Sequence, residues 1–228
     1  YNKKESDEFI EPSIILEKGK PVATVKDNDA VFFFNLRSDR SRQLTKAFVQ
    51  PNFKELNEGA FSRAKHPHNI RFVALTDFGP DLPNILTAFP SRDVQHGLVQ
   101  TLCPRKQLYI AESEKFAHIT YFLNGGYAQH FCDENWVKID SLDVKDYAAK
   151  PEMSTDRLAD YVIGALAARQ YDFIALNFAN MDMVGHTGDF AAAQQAVTVV
   201  DTALGRIVKS VIQHKGQAII TADHGNIE

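Results

Sequence analysis

Short apolar runs alternate with helix-period segments along this chain, and no other feature restricts its fold as much. Asp29-Ala30-Val31-Phe32-Phe33-Phe34-Asn35-Leu36 is a nearly continuous apolar run that suits a strand buried on both faces. A helix should follow: Ser38 can cap it, Leu44 and Phe48 stand four apart on one face, and Pro51 ends the pattern. Further strands are expected at 71–76, 107–111, 171–178 and 217–221. Helices are expected at 155–169, with Leu158, Val162, Ala165 and Leu166 on one face, and at 189–213. The stripe of the longer helix runs through Phe190, Ala193, Val197, Val200, Leu204, Ile207 and Val211. Strands separated by helices of these lengths define an α/β chain with a largely parallel sheet and flanking helices.

The 228 residues amount to one large domain or two small ones. Three prolines, Pro80, Pro83 and Pro90, fall with Gly79 between Phe78 and Asp93, so a domain boundary is expected near Ala88. Hydrophobic residues make up 44% and charged residues 24%, which excludes a disordered or collagen-like chain. A net charge of −4 gives no footprint for nucleic acid or a membrane surface, so any anion site must be local. Cys103 and Cys132 are not needed as a staple at this length, which points to a reducing, cytoplasmic setting. No run of about 18 apolar residues suggests a membrane span. The chain opens on Tyr1-Asn2-Lys3-Lys4 without Met and stops at Asn226-Ile227-Glu228, and it is therefore expected to be a fragment.

Two clusters occupy matching places in successive β-α steps: Ala179-Asn180-Met181-Asp182-Met183-Val184-Gly185-His186-Thr187-Gly188, and Ala222-Asp223-His224-Gly225-Asn226. In a parallel sheet the C-terminal strand ends share one edge, where open α/β folds place ligands. Asp182, His186, Asp223 and His224 are thus expected to converge there. Mixed carboxylate and imidazole donors suit Mn²⁺, Zn²⁺ or Co²⁺ better than Ca²⁺, and two ions about 4 Å apart would serve phosphoryl transfer. The competing reading is that Asp, Asn and Gly are ordinary turn and cap residues and that each histidine merely packs. Adjacent Asp223 and His224 could share one metal only from a turn.

A third cluster, Arg37-Ser38-Asp39-Arg40-Ser41-Arg42, lies at a strand-to-helix junction, where backbone N–H groups and arginine forks favour an anion. A solvated helix start paired through Asp39 is the alternative. Lys115, in Glu112-Ser113-Glu114-Lys115-Phe116-Ala117-His118, can join the same rim or form a surface ion pair. His118 is expected to pack, and His66 and His68 carry no assignment.

The segments 34–42, 111–118, 124–126, 177–188 and 221–226 together resemble cofactor-independent phosphoglycerate mutases, within the alkaline-phosphatase-like superfamily. The resemblance implies a metal-dependent interconversion of 3-phosphoglycerate and 2-phosphoglycerate through phosphoserine. It also implies residues 1–87 as the end of a phosphotransferase domain and 88–228 as part of a metal domain, with closure between them during turnover. Arg37 and Arg40 match substrate-holding arginines, and Lys115 matches a lysine beside the phosphoryl group. Asp182 and His186 match ligands of one Mn²⁺, and Asp223 and His224 match ligands of the other. The nucleophilic serine and the remaining ligands match no position in this sequence. A monomer acting on a small molecule, with no nucleic-acid or membrane partner, is expected. Another phosphomutase or phosphatase of the superfamily, or an inactive fragment, is the alternative.

Overall fold

A computed structural model describes residues 12–79, 82, 84–90, 94, 96–127 and 129–227, and of Asp39 the backbone alone. Pro80, Pro83 and Asp93 of the expected linker, the opening residues 1–4, Glu228 and the side chain of Asp39 lie outside the described residues. The chain divides into two compact units between residues 93 and 94.

In the first unit, β1 (Leu16–Glu17) and β2 (Lys20–Pro21) form a short antiparallel ribbon. Its turn places Lys18 and Gly19 at φ 50° and 77°, a region only glycine enters without cost. Strands β3 (Ala30–Phe33), β4 (Arg71–Thr76) and β5 (Leu86–Phe89) then make a parallel sheet in the order β3-β4-β5. The proline-rich stretch therefore supplies a strand as well as a connection. Expected to be covered on both faces, β3 instead alternates between exposed and half-buried residues. Among the described residues it is an edge strand, paired with β4 alone. Phe33 points inward and meets the rings of Phe72 and Phe78 edge-on.

Helix α1 (Ser38–Val49) follows β3, with Arg37 rather than Ser38 at the capping position. Its buried face carries Ser41 and Thr45, while Leu44 stays exposed. The Thr45 hydroxyl donates to the Ser41 carbonyl at 2.8 Å, so that face buries a hydroxyl without losing a hydrogen bond. Helix α2 (Phe53–Leu56) completes the unit.

The second unit runs α3 (Leu98–Thr101), β6 (Gln107–Glu112), β7 (Asn135–Ile139), α4 (Thr155–Ala167), β8 (Phe173–Asn177), α5 (Asn180–Gly185) and α6 (Phe190–Gln213). The sheet order is β7-β6-β8, all parallel. Every residue of β6 is buried. Leu108 and Ile110 face a layer built by Leu158, Ala159, Val162 and Ala165 of α4 with Ala203 and Ile207 of α6. On the opposite face Tyr109 and Ala111 meet Val99 and Ile119. This is the doubly covered parallel strand that a continuous apolar run announces.

Asp189 caps α6 by accepting the Ala192 N–H at 3.0 Å. The buried stripe of α6 is Ala192, Ala196, Val200, Ala203, Ile207 and Ser210. It shares Val200 and Ile207 with the expected stripe, while Phe190 and Val197 remain exposed. Small residues on the inner face let α6 approach α4 and α5 closely. Residues 217–221 form no strand, and Ile219 is 93% exposed. A strand exists only through ladder partners, and among the described residues none pairs with this segment. Cys103 and Cys132, expected to be unlinked, join as a disulfide with a Cα–Cα distance of 5.5 Å.

Candidate metal centre

The C-terminal edge of the β7-β6-β8 sheet gathers polar side chains from several loops. Directly after β6, a 3-10 turn at Ser113–Lys115 carries Lys115 into the unit, where it is 6% exposed. After β8, α5 begins at Asn180, places Asp182 in its first turn and ends at His186. The i,i+4 spacing stacks Asp182 and His186 on one helix face, with Asp182 Oδ1 3.4 Å from His186 Nε2. The other carboxylate oxygen, Oδ2, receives the Lys115 ammonium in a direct ion pair. Lys115 is thus no surface lysine between neighbouring glutamates, because its partner comes from the helix after β8, the strand paired with β6 in the sheet.

Burial alone would push the Asp182 carboxyl upward. The Lys115 hydrogen bond and charge outweigh it, His186 and Asn226 add to them, and the carboxyl ends below its ordinary value.

Asn226, quoted within a sequence motif but given no role, ties the second cluster to the first. Its amide donates to the Asp182 carbonyl at 3.1 Å and to Asp182 Oδ1 at 2.9 Å. Gly185 makes that approach possible, since a Cβ there would lie 3.2 Å from both the Asn226 amide nitrogen and its carbonyl oxygen. Asp223 and His224 sit three and two residues before Asn226, at a bend, and both are exposed. His224 Nδ1 lies 2.7 Å from the Gly225 carbonyl, which can only accept, so Nδ1 is the donor in that contact. His224 Nε2 lies 3.5 Å from Asp223 Oδ2. Asp223 and His224 stand at a bend, whereas joint action on one metal is expected only from a turn.

The donor chemistry fits a divalent transition metal. Each cluster offers one carboxylate oxygen and one imidazole nitrogen, 3.4 Å apart in the first and 3.5 Å in the second. Neighbouring ligands at about 2.1 Å from one ion stand at about this separation. Among the described residues no three His, Cys, Asp or Glu side chains gather into a single metal-holding group. The structure therefore presents two pairs of donors, bridged by Asn226.

Arg37 and Arg40 belong to the first unit and are exposed at the N-terminal end of α1. The Arg37 N–H donates to Asn35 Oδ1 at 2.8 Å, fixing the entry to the helix. His118 packs against the Phe122 ring, as a histidine beside an apolar stretch should. Among the described residues no helix is long and apolar enough to cross a membrane.

Residues 69–228 match the family model of the metalloenzyme superfamily, and the chain belongs to that superfamily. Residues 1–80 match a second model, the BPG-independent PGAM N-terminus. Over its whole length the chain is similar to 2,3-bisphosphoglycerate-independent phosphoglycerate mutases. It is 46% identical to the enzymes of Moorella thermoacetica and, for form 2, Methanosarcina barkeri, and 41% identical to that of Acetivibrio thermocellus. All of this chain aligns with them, and it spans 43–45% of their length. The solved structure of Leishmania mexicana phosphoglycerate mutase at low cobalt concentration superposes with a TM-score of 0.84 at 32% identity. That match covers 93% of this chain and 38% of the other.

Proposed function

We propose that the protein to which this chain belongs interconverts 3-phosphoglycerate and 2-phosphoglycerate by phosphoryl transfer at a two-metal site. The observation that carries this reading is the buried Lys115 ammonium on the Asp182 carboxylate, beside two carboxylate–imidazole donor pairs. Such a set supplies fixed positive charge where a phosphoryl group develops negative charge. Asp182 and His186 would hold one divalent ion, and Asp223 and His224 the second, with Mn²⁺ favoured by the donor types. When bound, these ions supply Lewis acidity and lower the pKa of a serine hydroxyl that lies outside this sequence. Lys115, already desolvated, presents its ammonium to the transferring group without reorganisation.

Residues 1–87 are proposed as the end of a phosphotransferase domain, in which Arg37 and Arg40 hold the glycerate, and 88–228 as part of the metal domain. A monomer acting on a small phosphorylated acid, with no nucleic-acid or membrane partner, is proposed with it. The proposed cytoplasmic location rests on the resemblance to a glycolytic enzyme, and the Cys103–Cys132 pair weighs against it because reducing compartments oppose disulfides.

In the full-length protein Arg37→Ala is expected to cut mutase turnover roughly 10²-fold or more while metal binding survives. Asp223→Asn is expected to lower metal occupancy measured by elemental analysis. Unchanged turnover in the first, or full occupancy in the second, removes the corresponding role. A different phosphomutase or a phosphatase of the superfamily would share the metal donors without requiring Arg37 and Arg40. Parallel assays on phosphoglycerates and pentose phosphates separate these readings, and the same assay on the 228-residue chain alone tests whether it acts unaided.

A further inference from the structure

Behind Lys115 and Asp182 lies a buried polar framework that none of the assigned roles uses. The segment 151–155 passes under the C-terminal edge of the sheet and is hydrogen-bonded to three of its loops. Glu112, the last residue of β6, accepts the Ser154 N–H at 2.9 Å. The Ser154 hydroxyl donates to the carbonyl of Asp140, just past β7, at 3.1 Å. Thr155 donates its hydroxyl to Asn180 Oδ1 at 2.9 Å, and Asn180 Nδ2 donates to the Pro151 carbonyl at 2.7 Å. Glu112, Thr155 and Asn180 are fully buried and Ser154 is 3% exposed, so all of these bonds except the one to Asp140 are made away from water. An unmade partner there costs the whole desolvation penalty of the group left behind.

Met153, inside the same segment, holds φ at 45° and is buried. A long side chain tolerates that region only where its surroundings over-determine the backbone. The framework ends three residues before Lys115 on one side and two residues before Asp182 on the other.

We propose that Asn180, clamped between Thr155 and Pro151, is the positioning residue that holds Asp182 against Lys115. It touches neither substrate nor reacting atoms and acts through the first turn of α5. Glu112 anchors the turn that carries Lys115 to the same segment. This inference rests on the reading of Lys115 and Asp182 as parts of one site, and it places the control of their geometry in the 151–155 segment.

The test compares Thr155→Val, which keeps the shape and removes the donor to Asn180, with Thr155→Ser, which keeps the donor. Leu158→Ala, one turn further along α4, serves as a control that loosens the core without touching the framework. Two readouts are taken on the full-length protein where circular dichroism shows every variant folded. These are Mn²⁺ affinity by calorimetry, and the rate at which an amine-reactive ester labels Lys115, followed by mass spectrometry.

In Thr155→Val, Mn²⁺ affinity is expected to fall roughly 10-fold, the low end of the loss when an outer partner of a metal ligand is removed, because Thr155 reaches Asp182 only through Asn180, with Lys115 labelled correspondingly faster. Thr155→Ser and Leu158→Ala should stay within about twofold of wild type in both readouts. Wild-type values in Thr155→Val, or equal losses in Leu158→Ala, overturn the proposal. A wild type that takes up no Mn²⁺, combined with faster Lys115 labelling in Thr155→Val alone, would sink the metal reading and leave the positioning role standing. Should Thr155→Val not fold, Asn180→Ser replaces it with the same expected and overturning results.

Discussion

Lys115 and Glu112 sit three residues apart and are both buried, yet they meet different partners. Lys115 meets a carboxylate that neutralises it. Glu112 meets a backbone N–H, and burial raises its carboxyl above the ordinary 4.5, although the Ser154 N–H, the Ser141 hydroxyl and Arg157 pull it back. A carboxyl whose folded pKa is raised binds its proton more tightly in the native state. Its contribution is complete below about pH 4.5 and is lost as pH rises through the raised value. Glu112→Gln keeps an acceptor for Ser154 and removes the charge. The variant is expected to show a flatter fall in stability above pH 4.5 than wild type, measured by urea denaturation at a series of pH values. Identical slopes would mean that Glu112 titrates alike in both states. Local pattern made Lys115 visible only as a residue after a strand, and its role came from the family resemblance alone. Its partner stands 67 positions away in the chain, so no local pattern could announce the pair.

At the level of elements, helices α4 and α6 were legible because their apolar residues recur at helical spacing over 13 and 24 residues. Which of two overlapping stripes turns inward was only half legible, because apolar residues occupy both and Val200 and Ile207 belong to each. Ala192, Ala196 and Ala203 are buried, whereas the larger Phe190 and Val197 stay outside. Ala203→Leu would force a branched side chain between α6 and the Leu158–Val162 face of α4. That should cost about 1–3 kcal/mol, read as a lower urea midpoint. A midpoint equal to wild type would mean that the two helices have room to spare. Residues 217–221 fail for a complementary reason. Apolar composition and β-branching set a propensity, but a strand needs an open ladder beside it. Strand β5 is the converse, since prolines on either side hid a segment that pairs with β4.

For the molecule as a whole, the parallel α/β class was legible and the covalent link was not. Length argued that no staple was needed, yet the loops after α3 and before β7 bring Cys103 and Cys132 together across 29 residues of chain. Closing a loop of that size is worth about 3.6 kcal/mol, mainly by restricting the unfolded chain. A thiol reductant should therefore lower the denaturation midpoint of the second unit, and Cys103→Ser should remove that sensitivity. A midpoint indifferent to reductant would count against the pairing.

Strand β6 has a consequence for the order in which the chain comes apart. Its two neighbours are contributed by residues 135–139 and 173–177, and its side chains are locked into both helical layers. No local fluctuation can free its amides without dismantling both faces of the unit. In native-state hydrogen exchange the β6 amides should be the slowest and should exchange with the free energy of global unfolding. Protection that falls below that of α6 would contradict it. Lys115 is thus borne by a turn anchored to the part of the molecule expected to melt last, while Asp223 and His224 ride on an exposed bend free to breathe on far shorter timescales.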